Sequence, residues 1–525
     1  MSNLDLKNTP KTKIVATLGP ASETEETIRE LILAGMNVAR LNCSHGDWDS
    51  RAERLNRVRK IAKELKRPIG ILVDIQGPKI RTGTLPDEGV IIKQGEEIIL
   101  TSDANTADYS VTASTKRVFI RNYPALTKDI LAGQQVLIDD GLIRLRATEV
   151  KGNDVRCNVL FGGVIKSNKG VNLPESHQAN LASITDKDRE DIVQAVKHSA
   201  EFIALSFVKT ADDVLELRKL IDECNVDQLP IKVIAKIEKP QAVAELDEIL
   251  DVVDGVMVAR GDLGVELEPE KVPMIQKQII SRANYKKKFA ITATQMMDSM
   301  ITKPFPTRAE VSDVANAILD GTDAIMLSNE TATGAFPKET IQMMAKIALE
   351  VEKSGEIKVE RRNLKDLDPN QTDDINRYAI AQAVETFSKL QHIENIVVFS
   401  CSGKSAMMVS RLRPEARIIA ATTYEFTYNS LSMVWGVLPI YFDEVEETTN
   451  TIYNIEKHLI KGGYVDHGDS VVITGGLPLA ARGVSNFIKI HKCDGSILEL
   501  KQYSKALQDK KLGPSIQRDE HCSLK

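Results

Sequence analysis

Residues 232–264 read KVIAKIEKPQAVAELDEILDVVDGVMVARGDLG, and two apolar runs within them, KVIAKIE at 232–238 and GVMVARGD at 255–262, decide the fold. Each is short enough for a buried strand and carries charged side chains at its carboxyl end. Working outward, the same pattern recurs as KIVATLG at 13–19, NVARLNCS at 37–44, IGILVDIQ at 69–76, FIALSFV at 202–208, FAITATQ at 289–295 and AIMLSNE at 324–330. Amphipathic stretches such as ETEETIRELILAG and RAEVSDVANAILDG separate most of them. Short strands alternating with helices predict a parallel sheet, and eight such units predict a (β/α)8 barrel of the α/β class.

The rhythm breaks between 82 and 178. There GVIIKQGEEIILT, QQVLIDDGLIRLRATEV and VRCNVLFGGVI read as short strands and turns, an inserted β-domain after the third barrel strand. A polar stretch, SGEIKVERRNLKDLDPNQTDD at 354–374, marks a second boundary. The expected organisation is an N-terminal extension at 1–11, a barrel from 12–81 and 179–353, the insertion at 82–178, a smaller α/β domain at 354–493 and a tail at 494–525. At 525 residues, with 42% hydrophobic and 27% charged residues, the chain has the composition of a globular protein. A net charge of −6 argues against a nucleic-acid partner. Six cysteines without a CxxC pair, a polar start and the lack of a long apolar run predict a cytoplasmic protein without disulfides, zinc or a membrane span.

Active sites of barrels form at the carboxyl ends of the strands, so those residues are the candidates. Alternation places Lys236 and Glu238 on one face, and Asp262 ends the next strand. Two carboxylates at adjacent tips suit Mg²⁺. The residues alone also admit a Lys236–Asp262 ion pair with Glu238 in solvent. Gly261 and Gly264 allow close backbone approach and a helix start aimed at an anion. Thr292 and Thr294 share a face, and Ser328 and Glu330 end the last strand. Arg40, Asn42 and Ser44 share a face of the second strand ahead of His45, and the third ends Asp74-Ile75-Gln76-Gly77-Pro78-Lys79-Ile80-Arg81. Arginines, lysine and carboxylates at one mouth describe a phosphate-and-metal cleft. In the last domain, Ser400-Cys401-Ser402-Gly403-Lys404-Ser405 follows a strand and opens a helix, a phosphate-binding arrangement or an ordinary serine cap. Val398 stands where a P-loop needs glycine, which rules that motif out. Cys43 and Trp435 read as packing residues.

TKIVATLGPAS at 12–22, MNVARLNCSHG at 36–46, QGPKIRTG at 76–83, KGVNLP at 169–174, MVARGDLGVE at 257–266, ATQMMDSM at 293–300, PTRAEVSDVANAILDG at 306–321 and IMLSNETA at 325–332 together resemble the signature blocks of the pyruvate kinase family. The resemblance spans roughly 12–493. It implies transfer of the phosphoryl group of phosphoenolpyruvate to ADP, giving pyruvate and ATP. Glu238 and Asp262 would hold Mg²⁺ or Mn²⁺. Lys236, with Arg40, would neutralise the moving phosphoryl, and Gly261, Asp262 and Thr294 would grip the substrate carboxylate. Thr294, Ser328 and Glu330 would serve the protonation of enolpyruvate. The insertion resembles a lid whose Lys169, with Asn42, His45 and Arg81, would meet the nucleotide. Asn42, Ser44, Asp74 and Ile75 resemble a monovalent-cation site. K⁺-dependent members carry Thr, Lys and Glu where this chain has Ile75, Gln76 and Lys79, so K⁺ is not expected to be required, Lys79 serving in its place. Ser400, Ser402, Gly403, Lys404, Ser405 and Arg482 resemble the pocket for a phosphorylated allosteric effector, and a homotetramer is implied. Two rival readings remain: a Mg²⁺-dependent barrel lyase acting on phosphoenolpyruvate or pyruvate, and an inert effector-binding homologue.

Overall fold

In the computed structural model, residues 9–112, 115–176, 181–357, 372–477 and 485–495 are described. Eight parallel strands close into a barrel: Lys13–Thr17, Val38–Asn42, Gly70–Asp74, Phe202–Leu205, Lys232–Ile237, Gly255–Ala259, Phe289–Ala293 and Ala324–Leu327. All eight expected strands are present, each ending one to three residues early. The chemistry-bearing ends have left the ladder: Phe207, Thr294 and Gln295 adopt positive φ, and Arg260–Glu266 is already helical.

Alternation sorts the strand residues into two layers. Ile71, Val73, Ile203, Leu205, Val233, Ala235, Val256 and Val258 face the helices. Val38, Leu72, Ala204, Ile234, Met257 and Ile291 fill the barrel interior. Continuing the inward set one step toward the carboxyl ends gives Arg40, Asp74, Ser206 and Lys236. Fold and site are thus one pattern: apolar below, charged at the mouth. At the other end Phe202 and Phe289 meet edge to face, and a Cβ at Gly255 would collide with the Phe289 ring at 2.2 Å. Local signals start and stop the helices. Thr24 caps Glu25–Ala34, Gly35 ends it at φ 126°, and Thr307 and Glu310 form a reciprocal capping box at Arg308–Leu319.

The stretch between Arg81 and Asn172 forms a larger sheet, in which Ile143–Lys151 pairs antiparallel with both Gln135–Ile138 and Asp154–Phe161, and a two-stranded one of Val90–Ile92 with Gly163–Ile165. A further sheet runs in the order Val437–Tyr441, Arg417–Thr422, Asn395–Phe399, Ser470–Gly475, Phe487–Lys492, with the last strand antiparallel to its neighbour. Two compact units result, one holding Thr9–Leu367 with Glu425–Pro439, the other Asp368–Tyr424 and Ile440 onward. Residues 425–439 cluster with the barrel. Met433 joins the barrel's interior cluster, and Ser432 Oγ accepts from the Gly70 N–H at 3.0 Å. The interior needs an apolar residue at that end, and this segment supplies it. Cys43 and Trp435 are buried, as expected for packing residues. No helix among the described residues is long and apolar enough to cross a membrane. The tail from 496 lies outside the described residues.

Candidate active site

At the barrel mouth, Asp74 is 1% exposed and sits between two cations. Its Oδ2 accepts from Arg40 Nε at 2.8 Å and lies 2.6 Å from a second guanidinium nitrogen. Lys236 Nζ lies 3.3 Å from Oδ1 and 2.9 Å from Glu238 Oε1, and donates to Ser206 Oγ at 2.8 Å. Arg40 also donates to Thr17 Oγ1 at 2.8 Å. Burial pushes the Asp74 carboxyl up, but the Lys236 and Arg40 charges overcome it and hold it below the usual carboxylate range. Glu238 moves the other way: burial raises it, Asp262 adds to the rise, and Lys236 only partly offsets them. For Lys236, burial pulls down but the surrounding carboxylates leave its ammonium harder to deprotonate than usual. The alternative of a Lys236–Asp262 pair with solvated Glu238 is not what forms. Glu238 is buried, and Lys236 pairs with it and with Asp74.

Two groups here escaped sequence reasoning. Ser206 Oγ takes the Lys236 bond and donates to the Ile75 carbonyl at 2.7 Å. The Phe207 N–H, at φ 56°, donates to Glu238 Oε2 at 2.6 Å. Alternation from Ala204 could have flagged Ser206; nothing local marks the Phe207 turn.

Across the mouth, Gly261 and Asp262 lie in the first turn of the helix Arg260–Glu266, rather than at the end of a strand. The Gly261 N–H donates to Thr294 Oγ1 at 2.8 Å. Thr294, at φ 69°, has left the strand, while Thr292 stays in it, fully buried against Thr322 at 3.1 Å. The expected shared face of Thr292 and Thr294 therefore does not exist. Arg260, also missed, holds the left-handed turn by donating to the Thr294 carbonyl at 2.8 Å and to Asp313 at 2.6 Å. Ser328 and Glu330 follow the last strand. Glu330 is buried, which raises its carboxyl, and its oxygens accept the N–H groups of Ser328 at 2.7 Å and Met297 at 3.2 Å. Gly261, Asp262, Thr294, Ser328, Glu330 and Lys79 line one cleft of about 1080 Å³.

This barrel mouth matches known sequence. Residues 9–341 fit the family described as "Pyruvate kinase, barrel domain", and residues 378–491 fit "Pyruvate kinase, alpha/beta domain". The chain belongs to the pyruvate kinase family. It is 43% identical over 483 residues to a pyruvate kinase of Geobacillus stearothermophilus, covering 92% of this chain and 80% of the relative. Identity to a Staphylococcus aureus pyruvate kinase is 42% over 486 residues, with the same coverage of 92% and 80%. The crystal structure of a pyruvate kinase from Cryptosporidium parvum superposes with a TM-score of 0.83 at 34% identity, covering 94% of this chain and 98% of that one.

Pyruvate kinases move a phosphoryl group from phosphoenolpyruvate to ADP, and the remaining residues of this member can be placed against that reaction. His45 is exposed; partial burial lowers its imidazole, and the charges of Arg81, Lys79 and Arg40 lower it further, the mark of a locally positive surface. Arg81 donates to the Asn168 carbonyl at 2.8 Å, and Lys169 pairs with Asp139 at 2.7 Å. Asn42 Oδ1 accepts the Ser44 N–H at 3.0 Å. Ile75 reaches the mouth through its backbone alone. Its side chain is packed in the helix-facing core with Ile71 and Val73, so a hydroxyl there would point away from the mouth. Only its carbonyl is available, and Ser206 already donates to it.

The carboxylates fit a divalent ion. Glu238 Oε1 has the Lys236 ammonium at 2.9 Å but no hydrogen bond of proper geometry, and the Asp262 charge helps raise its carboxyl. Mg²⁺ takes one or two carboxylates and fills its shell with water and substrate oxygens, so these two carboxylates would suffice to hold it.

In the other unit, Gly403 caps the helix Lys404–Ser410 at φ 80° without a side-chain cap bond, so the alternative of an ordinary serine cap does not hold. Ser400 is buried, Ser402 and Lys404 are exposed, and Ser405 Oγ lies 2.8 Å from Ser485 Oγ. That bond ties the loop at 400–405 to Ser485. Arg482 lies outside the described residues.

Proposed function

We propose that phosphoryl transfer runs over the buried charge set of Arg40, Asp74, Lys236 and Glu238, the observation that carries the assignment. The Lys236 ammonium, held by Asp74, Glu238 and Ser206, neutralises the phosphoryl as its bond to the enol oxygen breaks and the bond to ADP forms. Arg40 assists. A divalent ion held by Glu238 and Asp262 supplies further charge neutralisation when bound. Thr294 and Asp262 border the carboxylate end of the substrate, and Thr294, Ser328 and Glu330 line the route by which a proton reaches the enolpyruvate carbon. His45, Arg81, Lys169 and Asn42 form the nucleotide side, where closure of the inserted sheet excludes water. Pyruvate formation coupled to lactate dehydrogenase tests the reading. Strict dependence on ADP separates it from a lyase, and absence of turnover would overturn it in favour of an inert homologue.

K⁺ is not required in this reading. Lys79 lines the cleft with Gly261, Asp262 and Thr294, and a Cβ at Gly170 would meet Lys79 Cε at 3.6 Å, so this lysine lies beneath the insertion rather than out in solvent. An ammonium ~4 Å from a phosphate is worth roughly 4 kcal/mol at an effective dielectric of 20, similar to a bound monovalent cation. Activity in a buffer whose only monovalent cation is a large alkylammonium should rise less than about fivefold when KCl is titrated in at constant ionic strength. Greater stimulation would refute the claim. Lys79→Glu should lower K⁺-free activity and recover part of it with added K⁺.

A phosphorylated effector, a sugar phosphate or a nucleoside monophosphate, binds at Ser400, Ser402, Gly403, Lys404 and Ser405, with Arg482, in a homotetramer of the cytoplasm. The exposed hydroxyl and ammonium of the loop and its bond to Ser485 support this. Ser402→Asp sets a fixed negative charge where phosphate would sit. Activation curves with a panel of both ligand classes should shift to about tenfold higher concentration while basal activity stays near parental. Unchanged activation by every effective ligand would sink the assignment.

A further inference from the structure

Glu266 is the last residue of the helix whose first turn carries Asp262. Its side chain is 1% exposed, and its Oε1 is shared by two donors from different parts of the chain. One is the Lys239 ammonium, adjacent in sequence to Glu238. The other is Asn172 Nδ2, at 2.7 Å. Asn172 belongs to the inserted sheet, paired with Leu137, and neighbouring Val171 donates to the Ile80 carbonyl at 3.0 Å. Lys239 in turn lies 5.7 Å from the centre of the Phe207 ring, on the residue whose N–H holds Glu238. Glu266 Oε2 is buried and has no hydrogen-bond partner.

One buried carboxylate therefore joins three bodies: the insertion, the helix bearing Asp262, and the segment bearing Glu238. Among the described residues its charge is balanced by Lys239 alone, and the insertion contributes a single neutral donor. A carboxylate with one bare oxygen depends strongly on the bonds to the other, because each lost bond leaves a desolvated acceptor. When the insertion lifts, Asn172 leaves, and the Glu266–Lys239 pair must find other partners or water. Either adjustment moves the two segments that carry the metal-binding carboxylates.

The geometry points to Glu266, with Asn172 and Lys239, as a positioning group that couples the seat of the inserted sheet to the spacing of Glu238 and Asp262, so that divalent-ion affinity depends on closure. This rests on the proposal that those two carboxylates hold the ion. Glu266 itself touches neither substrate nor ion.

The test is Mn²⁺ binding to the full-length, substrate-free protein, read by electron paramagnetic resonance, alongside thermal melting. Asn172→Ala should weaken Mn²⁺ binding about five- to tenfold, the equivalent of one lost hydrogen bond, with little change in melting temperature. Asn172→Asp, which sets a second carboxylate against Glu266, should weaken it further and raise KM for ADP. A purely structural contact would lower the melting temperature and leave the ion's affinity alone. Glu238→Gln separates the two layers of the argument. If that variant binds Mn²⁺ like the parent, the assignment of the ion's ligands fails. If it loses Mn²⁺ while Asn172→Ala stays within about twofold of the parent, the coupling alone is refuted.

Discussion

Lys236→Met is expected to lower turnover by on the order of 10³-fold or more while Mn²⁺ still binds. The reason lies in what the ammonium does at the mouth. It stands 2.9 Å from Glu238 and 3.3 Å from Asp74, so it is fixed before substrate arrives and needs no reorganisation as the phosphoryl moves. Methionine matches the unbranched apolar stem of lysine but removes the charge and the bond to Ser206. Glu238 then loses its neighbouring cation, which leaves the carboxylate pair more attractive to a divalent ion. A coupled assay read together with Mn²⁺ binding checks both halves. Retention of more than about a tenth of parental turnover would mean that the charge is stabilised by something other than Lys236.

Asp74→Asn is the second large effect, and it falls on stability as well as activity. Removing one member of a buried ion set leaves the others uncompensated, at about 3–5 kcal/mol. Here Arg40 loses its carboxylate partner, and Lys236 keeps only Glu238. Thermal melting at neutral pH should show a large fall, and Arg40, no longer anchored, should lose part of its grip on the phosphoryl. The pH dependence gives a check on cause. The folded Asp74 carboxyl is held below its unfolded value, so its stabilising effect is complete above the unfolded value, near 4, and lost as pH falls through the folded one. The gap in melting temperature between parent and variant should therefore shrink as pH drops below about 4. A gap that stays constant into that range would remove charge pairing as the explanation.

Most of the barrel was legible because burial on both faces writes itself into strands as apolar runs, and alternation is a local rule. It placed Lys236 and Glu238 on one face, two positions apart in one segment, and they stand 2.9 Å apart. The same rule failed wherever the backbone turned out of the ladder. Thr294 was read as continuing a strand, yet its φ of 69° redirects its hydroxyl to the Gly261 N–H. Ile75 follows unbroken alternation from Ile71 and Val73, which sends its side chain to the helices.

The amino-acid sequence by itself determined the barrel with its insertion, the family, and the residue types that line the mouth, since each depends on periodicity or on contiguous blocks. Tertiary structure alone decided how the charges are shared. The Arg40–Asp74 pair needs the register that sets Asn42 beside Asp74, and the Lys236–Ser206 bond needs the pairing of Leu205 with Ala235. The Asn172–Glu266 contact joins residues 94 positions apart. Which carboxylate is desolvated, and which cation offsets it, depends on what lies across the barrel or under the insertion. Burial and charge act through space over a few ångströms, and chain closure, not neighbouring residues, sets those distances.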